Sequence, residues 1–400
     1  GRALQRGLVH PERTTLVAST HRFYSMTEKT AMADGRVNPD DLIQGARKAA
    51  RQFVSNNFQE LSERFGAPIG PALLGAVAAS ACLPFGREQF EATIERSGVG
   101  VKASLRAFAA AFEAAQKGPS GSGISNPTQL GPRLAALEQR IQHQFVEPAH
   151  EMLRLGVARI ADYQDLNYAG LYLDRLHSLQ DASGVHADLI MPEAARHLAV
   201  WMSYEDVVRV ADLKTRRTRF DRVAQEVRLQ EGQLMQIHEF LHPRVEEIAD
   251  TLPVAWGRWL LDHPWAHRWL GRRVQKGRIL QTSSLRGYLQ LYALAALRPW
   301  RPKSLRYATE QARIQEWLQA IHQCLPGQAE LALEIIKTQQ LIKGYSDTHQ
   351  RGWGNFRLLM DALPRLRAHE RAPQSLAMLR QAALADEHGK ALQQALQSLN

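Results

Sequence analysis

The chain has 400 residues, 44% of them hydrophobic, with 50 Lys and Arg against 40 Asp and Glu, a formal net charge of +10. That length predicts two or three domains and a sizeable core. The two cysteines, Cys82 and Cys324, lie far apart, which excludes a disulfide framework and any zinc or iron–sulfur site built from this chain's cysteines alone, and fits a reducing, cytoplasmic setting.

The sequence opens on Gly1 without an initiator Met or a signal peptide, and is read as a piece of a longer protein. "TTLVAST" (14–20), β-branched and apolar, predicts a short strand. "PDDLIQGARKAARQFV" (39–54) predicts a helix with Asp40 and Asp41 in the first turn after Pro39. An uncharged run between Arg64 and Arg87 has the length of a membrane span, but its prolines, glycines and alanines predict a buried helix over 71–82 instead. Further helices are expected at 87–98 and 101–116. One strand among helices reads as the trailing part of an α/β domain, residues 1–118. "KGPSGSGISNPTQLGP", rich in Gly, Ser and Pro, then marks a linker, placed at 119–132.

Beyond the linker, residues 133–400 are dominated by segments of 3.6-residue period. The longest are "RLAALEQRIQHQFVEPAHEMLRLGVARIADY", "KTRRTRFDRVAQEVRLQEGQLMQIHEFL", "LRYATEQARIQEWLQAIHQCL" and "SLAMLRQAALADEHGKALQQALQ". The fold class expected is therefore an α/β remnant followed by a mostly α-helical domain. All eight tryptophans lie at Trp201 or later, so the two portions also differ in composition.

The charge is concentrated. Residues 258–306 hold eleven Lys and Arg and one acid, Asp262, which equals the excess of the whole chain. Arg272, Arg273, Lys276 and Arg278 form its densest part. This is either a solvated basic face or a surface for an anionic partner: phosphates, an acidic subunit or nucleic acid.

Several constellations carry chemistry. "HEFLH" (238–242) has the spacing that on a helix places His238 and His242 on zinc with Glu239 as base, but Pro243 ends a helix there and no third ligand follows at the usual distance. "ADGRVN" (33–38) with "SNN" (55–57) offers Asp34, Asn56 and Asn57 in a shortened version of a thiamine-diphosphate magnesium pattern, in which Ala33 replaces a glycine. The polar loop after the first strand carries His21, Arg22, Glu28 and Lys29, which suit an anionic or keto-acid group, a partner subunit, or an internal ion pair. "LIKGYSDTHQRG" (341–352) reads as a turn between two helices: Gly344 and Gly352 supply bends, and Lys343, Asp347, His349 and Arg351 surround a small concavity suited to an anion or a docking subunit. No nucleophile elbow, Walker loop or dinucleotide fingerprint is present, and "GVGVKAS" (98–104) is too loose for a phosphate loop.

These residues resemble a known family. "RTTLVASTHRFYSMTEKTAMADGR", "GPALLGAVAASACLPFGREQFEATI" and "GVGVKASLRAFAAAFE" are similar to the later part of the gamma domain of 2-oxoacid:ferredoxin oxidoreductases, and "LRPWRPKSLRYATEQARIQEWL" and "LIKGYSDTHQRGWGNF" to the helical region fused behind it in the beta subunit of indolepyruvate (arylpyruvate) ferredoxin oxidoreductase. The resemblance implies an incomplete Rossmann-like domain ahead of the helical one. It implies a part in oxidative decarboxylation of an aryl-2-oxoacid to an acyl-CoA, with electrons passed to ferredoxin. Thiamine diphosphate, magnesium and the iron–sulfur clusters are then expected on an alpha subunit, with CoA as co-substrate, no cofactor on this chain alone, and no membrane. No catalytic residue carries over. The competing expectation is a helical scaffold, or a nucleic-acid-binding protein using 258–306; nucleic acid is the less expected partner.

Overall fold

A computed structural model of the chain describes residues 4, 6–30, 35–118, 130–227, 229, 232–241, 244–274, 277–342, 346–369, 371–386 and 389–398. The chain divides into two compact units, Gly1–Pro127 and Thr128–Asn400. The linker residues 119–129 lie outside the described residues.

In the first unit, β1 (Thr15–Ser19) and β2 (Gln52–Asn56) pair in parallel, from Thr15 opposite Gln52 to Ser19 opposite Asn56. Between them in sequence come α1 (Met26–Thr30) and α2 (Pro39–Ala49). Asn38 caps α2, its Oδ1 accepting from the Asp40 N–H at 3.0 Å, with Asp40 and Asp41 in the first turn. The sequence reading carried this helix on to residue 54, which is incorrect. Ala50 is extended and Gln52–Asn56 is a strand, because Phe53 and Val54 gain a ladder partner in β1 and Val54 a place in the core. Four helices follow: α3 (Phe58–Glu63), α4 (Ile69–Ala79), α5 (Arg87–Ser97) and α6 (Val101–Gln116). The uncharged run became α4, whose Ala72, Gly75 and Ala76 are buried. Gly75 permits the close approach: a Cβ there would collide with the backbone carbonyl of Phe108 on α6. Phe58, Ala72, Ala76 and Ala111 form one small core with Val17 and Val54 against it, and Phe90, Ile94 and Phe108 a second. Among the described residues no helix is long and apolar enough to cross a membrane.

The second unit is mostly helical. Its main core is built by α7 (Ala135–Gln144), α8 (His150–Tyr163), α9 (Leu166–Ser183), α10 (Ala187–Met202), then α17 (Leu305–His322), α18 (Ala329–Lys337), α19 (Ser346–Leu366), α20 (Ala372–Ala385) and α21 (Lys390–Gln397). Trp201 and Trp317 meet at its centre with ring centroids 5.3 Å apart, and the Trp317 indole N–H donates to the Ile335 carbonyl at 3.0 Å. Between α10 and α17 the chain forms α11 (Val207–Thr215), α12 (Arg217–Glu226), β3 (His238–Leu241), α13 (Val245–Thr251), α14 (Val254–Asp262), α15 (Pro264–Val274), β4 (Arg278–Gln281) and α16 (Leu285–Ala295). Among the described residues here, Val245, Ala249, Leu260 and Ala266 form a satellite core, and Val208, Ala211 and Leu291 are also buried.

Two readings of this unit are corrected. The periodic segment beginning at Lys214 is not one helix: it turns after Thr215, and His238–Leu241 is a strand antiparallel to β4. The stretch from Ser346 is not a turn but the start of α19, with Gly352 buried inside the helix. Cys324 is buried in this unit, whereas Cys82 in the first is exposed.

Candidate functional site

The loop after β1 closes on itself. Arg22 pairs with Glu28, which also accepts from the Ser25 N–H at 2.8 Å and the Val37 N–H at 3.0 Å. Those backbone donors, with Arg22 adding to them, hold the Glu28 carboxyl down at about 2. Arg22 also lies over the Tyr24 ring at 5.3 Å. His21 is exposed and meets Phe23 edge-on at 4.7 Å. The Lys29 side chain lies outside the described residues.

One sequence pattern loses its geometry. His238 and Glu239 stand on a strand, and Glu239 is held between Lys214 and Arg219, so the helix that "HEFLH" requires for zinc is absent; His242 lies outside the described residues. Among the described residues no three His, Cys, Asp or Glu side chains gather to hold a metal ion. In the diphosphate pattern Asp34 lies outside the described residues, and the Asn57 side chain caps α3 by accepting from the Glu60 N–H at 3.2 Å.

Around the start of α19 a charged cluster forms about the buried Glu310. Arg306, Glu310 and Arg313 project from one face of α17 at i, i+4 and i+7. Glu310, only 1% exposed, accepts from the Trp201 indole N–H at 2.8 Å and from Arg313 at 2.9 Å, and pairs with Arg306 at 3.1 Å. Arg306 reaches Asp250 on α13 at 3.5 Å and His349 Nε2 on α19 at 3.0 Å. A guanidinium only donates, so this contact places the imidazole proton on Nδ1. Burial, then the Arg306 charge, lowers the His349 pKa to about 4, leaving it neutral at pH 7. Burial also raises that of Asp250. Arg313 stacks 3.8 Å from the Trp353 ring centroid. Of the residues singled out in 341–352, His349 enters this cluster; Arg351 reaches Thr348 Oγ1 at 3.5 Å, and Lys343 and the Asp347 side chain lie outside the described residues. Sequence reasoning missed Arg306, Glu310 and Arg313, whose spacing on one helix face with Trp317 was the available signal.

The basic segment 258–306 divides by depth. Arg301, 3% exposed, holds Asp206 through two bonds at 2.6 and 3.0 Å, donates to the Tyr163 carbonyl at 2.8 Å and stacks 4.1 Å over the Tyr163 ring. Arg298 donates to the Ala161 carbonyl at 3.0 Å and to that of Gln164. These cations thus satisfy carbonyls at the C-terminus of α8. With Arg306 they face inward. Arg258, Arg268, Arg272, Arg273, Arg286 and Lys303 are exposed; Lys276 and the Arg278 side chain lie outside the described residues.

At and just before the start of this segment, aromatic rings are displayed. Trp256, Trp259, Trp265 and Trp269 on α14 and α15 are 71%, 49%, 60% and 53% exposed. Trp259 stacks on His263 at 4.9 Å and meets Trp265 edge-on at 5.7 Å, and Arg273 lies 4.0 Å over Trp269. The inner side is fixed: a Cβ on Gly257 would stand 2.5 Å from the Ala249 carbonyl oxygen and 2.8 Å from Leu305 Cδ2.

Residues 149–362 match the model of a family of unknown function, DUF6537. The chain belongs to that family. The matched span holds both the charged cluster and the tryptophan hairpin. No curated protein and no solved structure matches the chain.

Proposed function

We propose that this DUF6537 chain is a beta-type companion subunit of an indolepyruvate (arylpyruvate) ferredoxin oxidoreductase, acting in the cytoplasm. Its first unit, with the parallel β1–β2 pair, is then the later part of a Rossmann-like gamma domain, and its second the fused helical region. One observation carries the reading. The two stretches of the helical unit that bear the resemblance, 297–318 and 341–356, are distant in sequence yet meet in one half-buried cluster around Glu310, where Arg306 and Arg313 face His349 and Trp353. Such a cluster preserves the mutual position of α17 and α19, and so the surface the unit presents.

The described residues do not fit a diphosphate site of this chain's own, since Asn57 is engaged as a helix cap. As the resemblance implies, thiamine diphosphate, magnesium and the iron–sulfur clusters belong in this reading to an alpha subunit, and CoA enters as co-substrate. When bound there, the thiamine cofactor supplies the carbanion chemistry. This chain's contribution is shape, exclusion of water and positive potential beside it.

The test is co-expression with a thiamine- and cluster-bearing alpha subunit. The expected result is a stable complex that oxidises indolepyruvate with CoA and passes electrons to ferredoxin, while this chain alone is inactive. Metal clusters on the isolated chain, or keto-acid turnover without help, overturn the reading. Salt-sensitive binding of arbitrary DNA or RNA in place of complex formation favours the nucleic-acid alternative.

A further inference from the structure

We infer that the outer face of the α14–α15 hairpin is a docking surface for an acidic protein partner, with its four indoles as anchors. The inference deepens the proposed function, and rests on it only for the partner's identity, the alpha subunit.

Periodicity gives the face its shape. Trp256, Trp259 and His263 stand at i, i+3 and i+7, and Trp265, Trp269 and Arg272 at i, i+4 and i+7, so each set lies along one side of its helix. The Trp259–Trp265 contact joins the two sides into one patch. Beside this face, Gly257, Leu260 and Ala266 are buried against Val245, Ala249 and Leu305, which seats the hairpin while the indoles stay exposed.

Area and charge identify the occupant. A tryptophan carries roughly 150–250 Å². At the exposures above, the four present on the order of 500 Å² of ring surface, near the upper end for a monomer's largest apolar patch and more than half of the ~800 Å² that one side of a standard interface offers. Exposed Arg268, Arg272 and Arg273 stand on α15 with Trp265 and Trp269, and Arg258 is exposed on α14; the two helices carry one acid, Asp262, and Glu246 of α13 is engaged with His267 at 3.0 Å. Trp and Arg together are the composition of interface anchors. A second copy of this chain brings like charge to like charge, which disfavours self-association. An interfacial membrane helix separates its tryptophans from its cations, whereas here Arg273 stacks on Trp269 within the same face.

The experiment compares the full chain with Trp256→Ala/Trp265→Ala and Arg268→Glu/Arg272→Glu variants for binding to the alpha subunit. Phosphatidylglycerol vesicles and single-stranded DNA serve as further probes, and sedimentation reports self-association. The expected result is binding that weakens roughly 30-fold or more on loss of the indoles. Charge reversal should slow association and lessen its salt dependence, with unfolding midpoints unchanged in both variants. Wild-type binding that both variants retain overturns the docking face and leaves the proposed function standing. No wild-type binding to the alpha subunit overturns both, as does association of the indoles with vesicles, DNA or a second copy in its place.

Discussion

Trp201 and Trp317 lie in the main core, each with its indole N–H bonded, whereas Trp256, Trp259, Trp265 and Trp269 stand on a hairpin with only a four-residue core beneath it. The same side chain thus serves folding in one region and display in the other. The arginines divide the same way: Arg301 is enclosed by Asp206 and the Tyr163 carbonyl, while Arg272 is exposed. Residue type alone therefore does not assign a tryptophan or an arginine to core or surface. What surrounds it does.

The sharpest test of that contrast is Trp317→Ala against Trp256→Ala. The first empties a site enclosed on all sides and is expected to cost about 3–5 kcal/mol in urea unfolding; the second should stay within about 0.5 kcal/mol. Equal costs would break the comparison. Arg301→Met repeats it for charge. It leaves Asp206 enclosed without its guanidinium and should cost about 3–5 kcal/mol, while Arg272→Met should be near neutral. A smaller loss, about 1–3 kcal/mol, is expected for Gly257→Ala, which pushes α14 from Ala249 and Leu305; a shifted hairpin would also show as altered tryptophan emission.

Acidification separates the two units more gently. An unfolded His349 takes its proton near 6.5 and the folded one only near 4, so the unfolded state binds more protons between those values and the helical unit loses stability as pH falls through that window. Glu28 behaves oppositely in origin and later in pH: its carboxyl is held at about 2 against an ordinary 4.5, so its contribution is intact above 4.5 and lost toward 2. In a pH series of hydrogen exchange, the helices around His349 should lose protection first, and His349→Gln should remove that early component.

Much of the helical unit was legible from its period. α17 runs over nearly the span its apolar pattern marks, because both ends carry local signals: Ser304 caps it, with its hydroxyl accepting from the Tyr307 N–H at 3.2 Å, and helical spacing fails after His322. β2 and β3 were missed because each is only a few residues long and gains its conformation from a partner strand far away in sequence. The charged cluster was half legible. His349 drew attention as a polar residue between glycines, but Glu310 lay in an ordinary-looking helical stretch; its two arginines stand on its own helix face, and only the packing of α10 and α19 on α17 brings Trp201 and His349 to the cluster. The tryptophan hairpin was visible as composition and charge, yet sequence could not say which rings point outward.

The placement of the two thiols equips the molecule for following its own opening. Cys82 is exposed and belongs to the first unit; Cys324 is enclosed in the second, where burial also raises its pKa. A maleimide pulse on the native protein should therefore tag one sulfur at once and leave the other silent. Any denaturant level or temperature at which the second tag appears reports the loosening of the helical unit by itself, a dye-counting assay that needs no engineered residue.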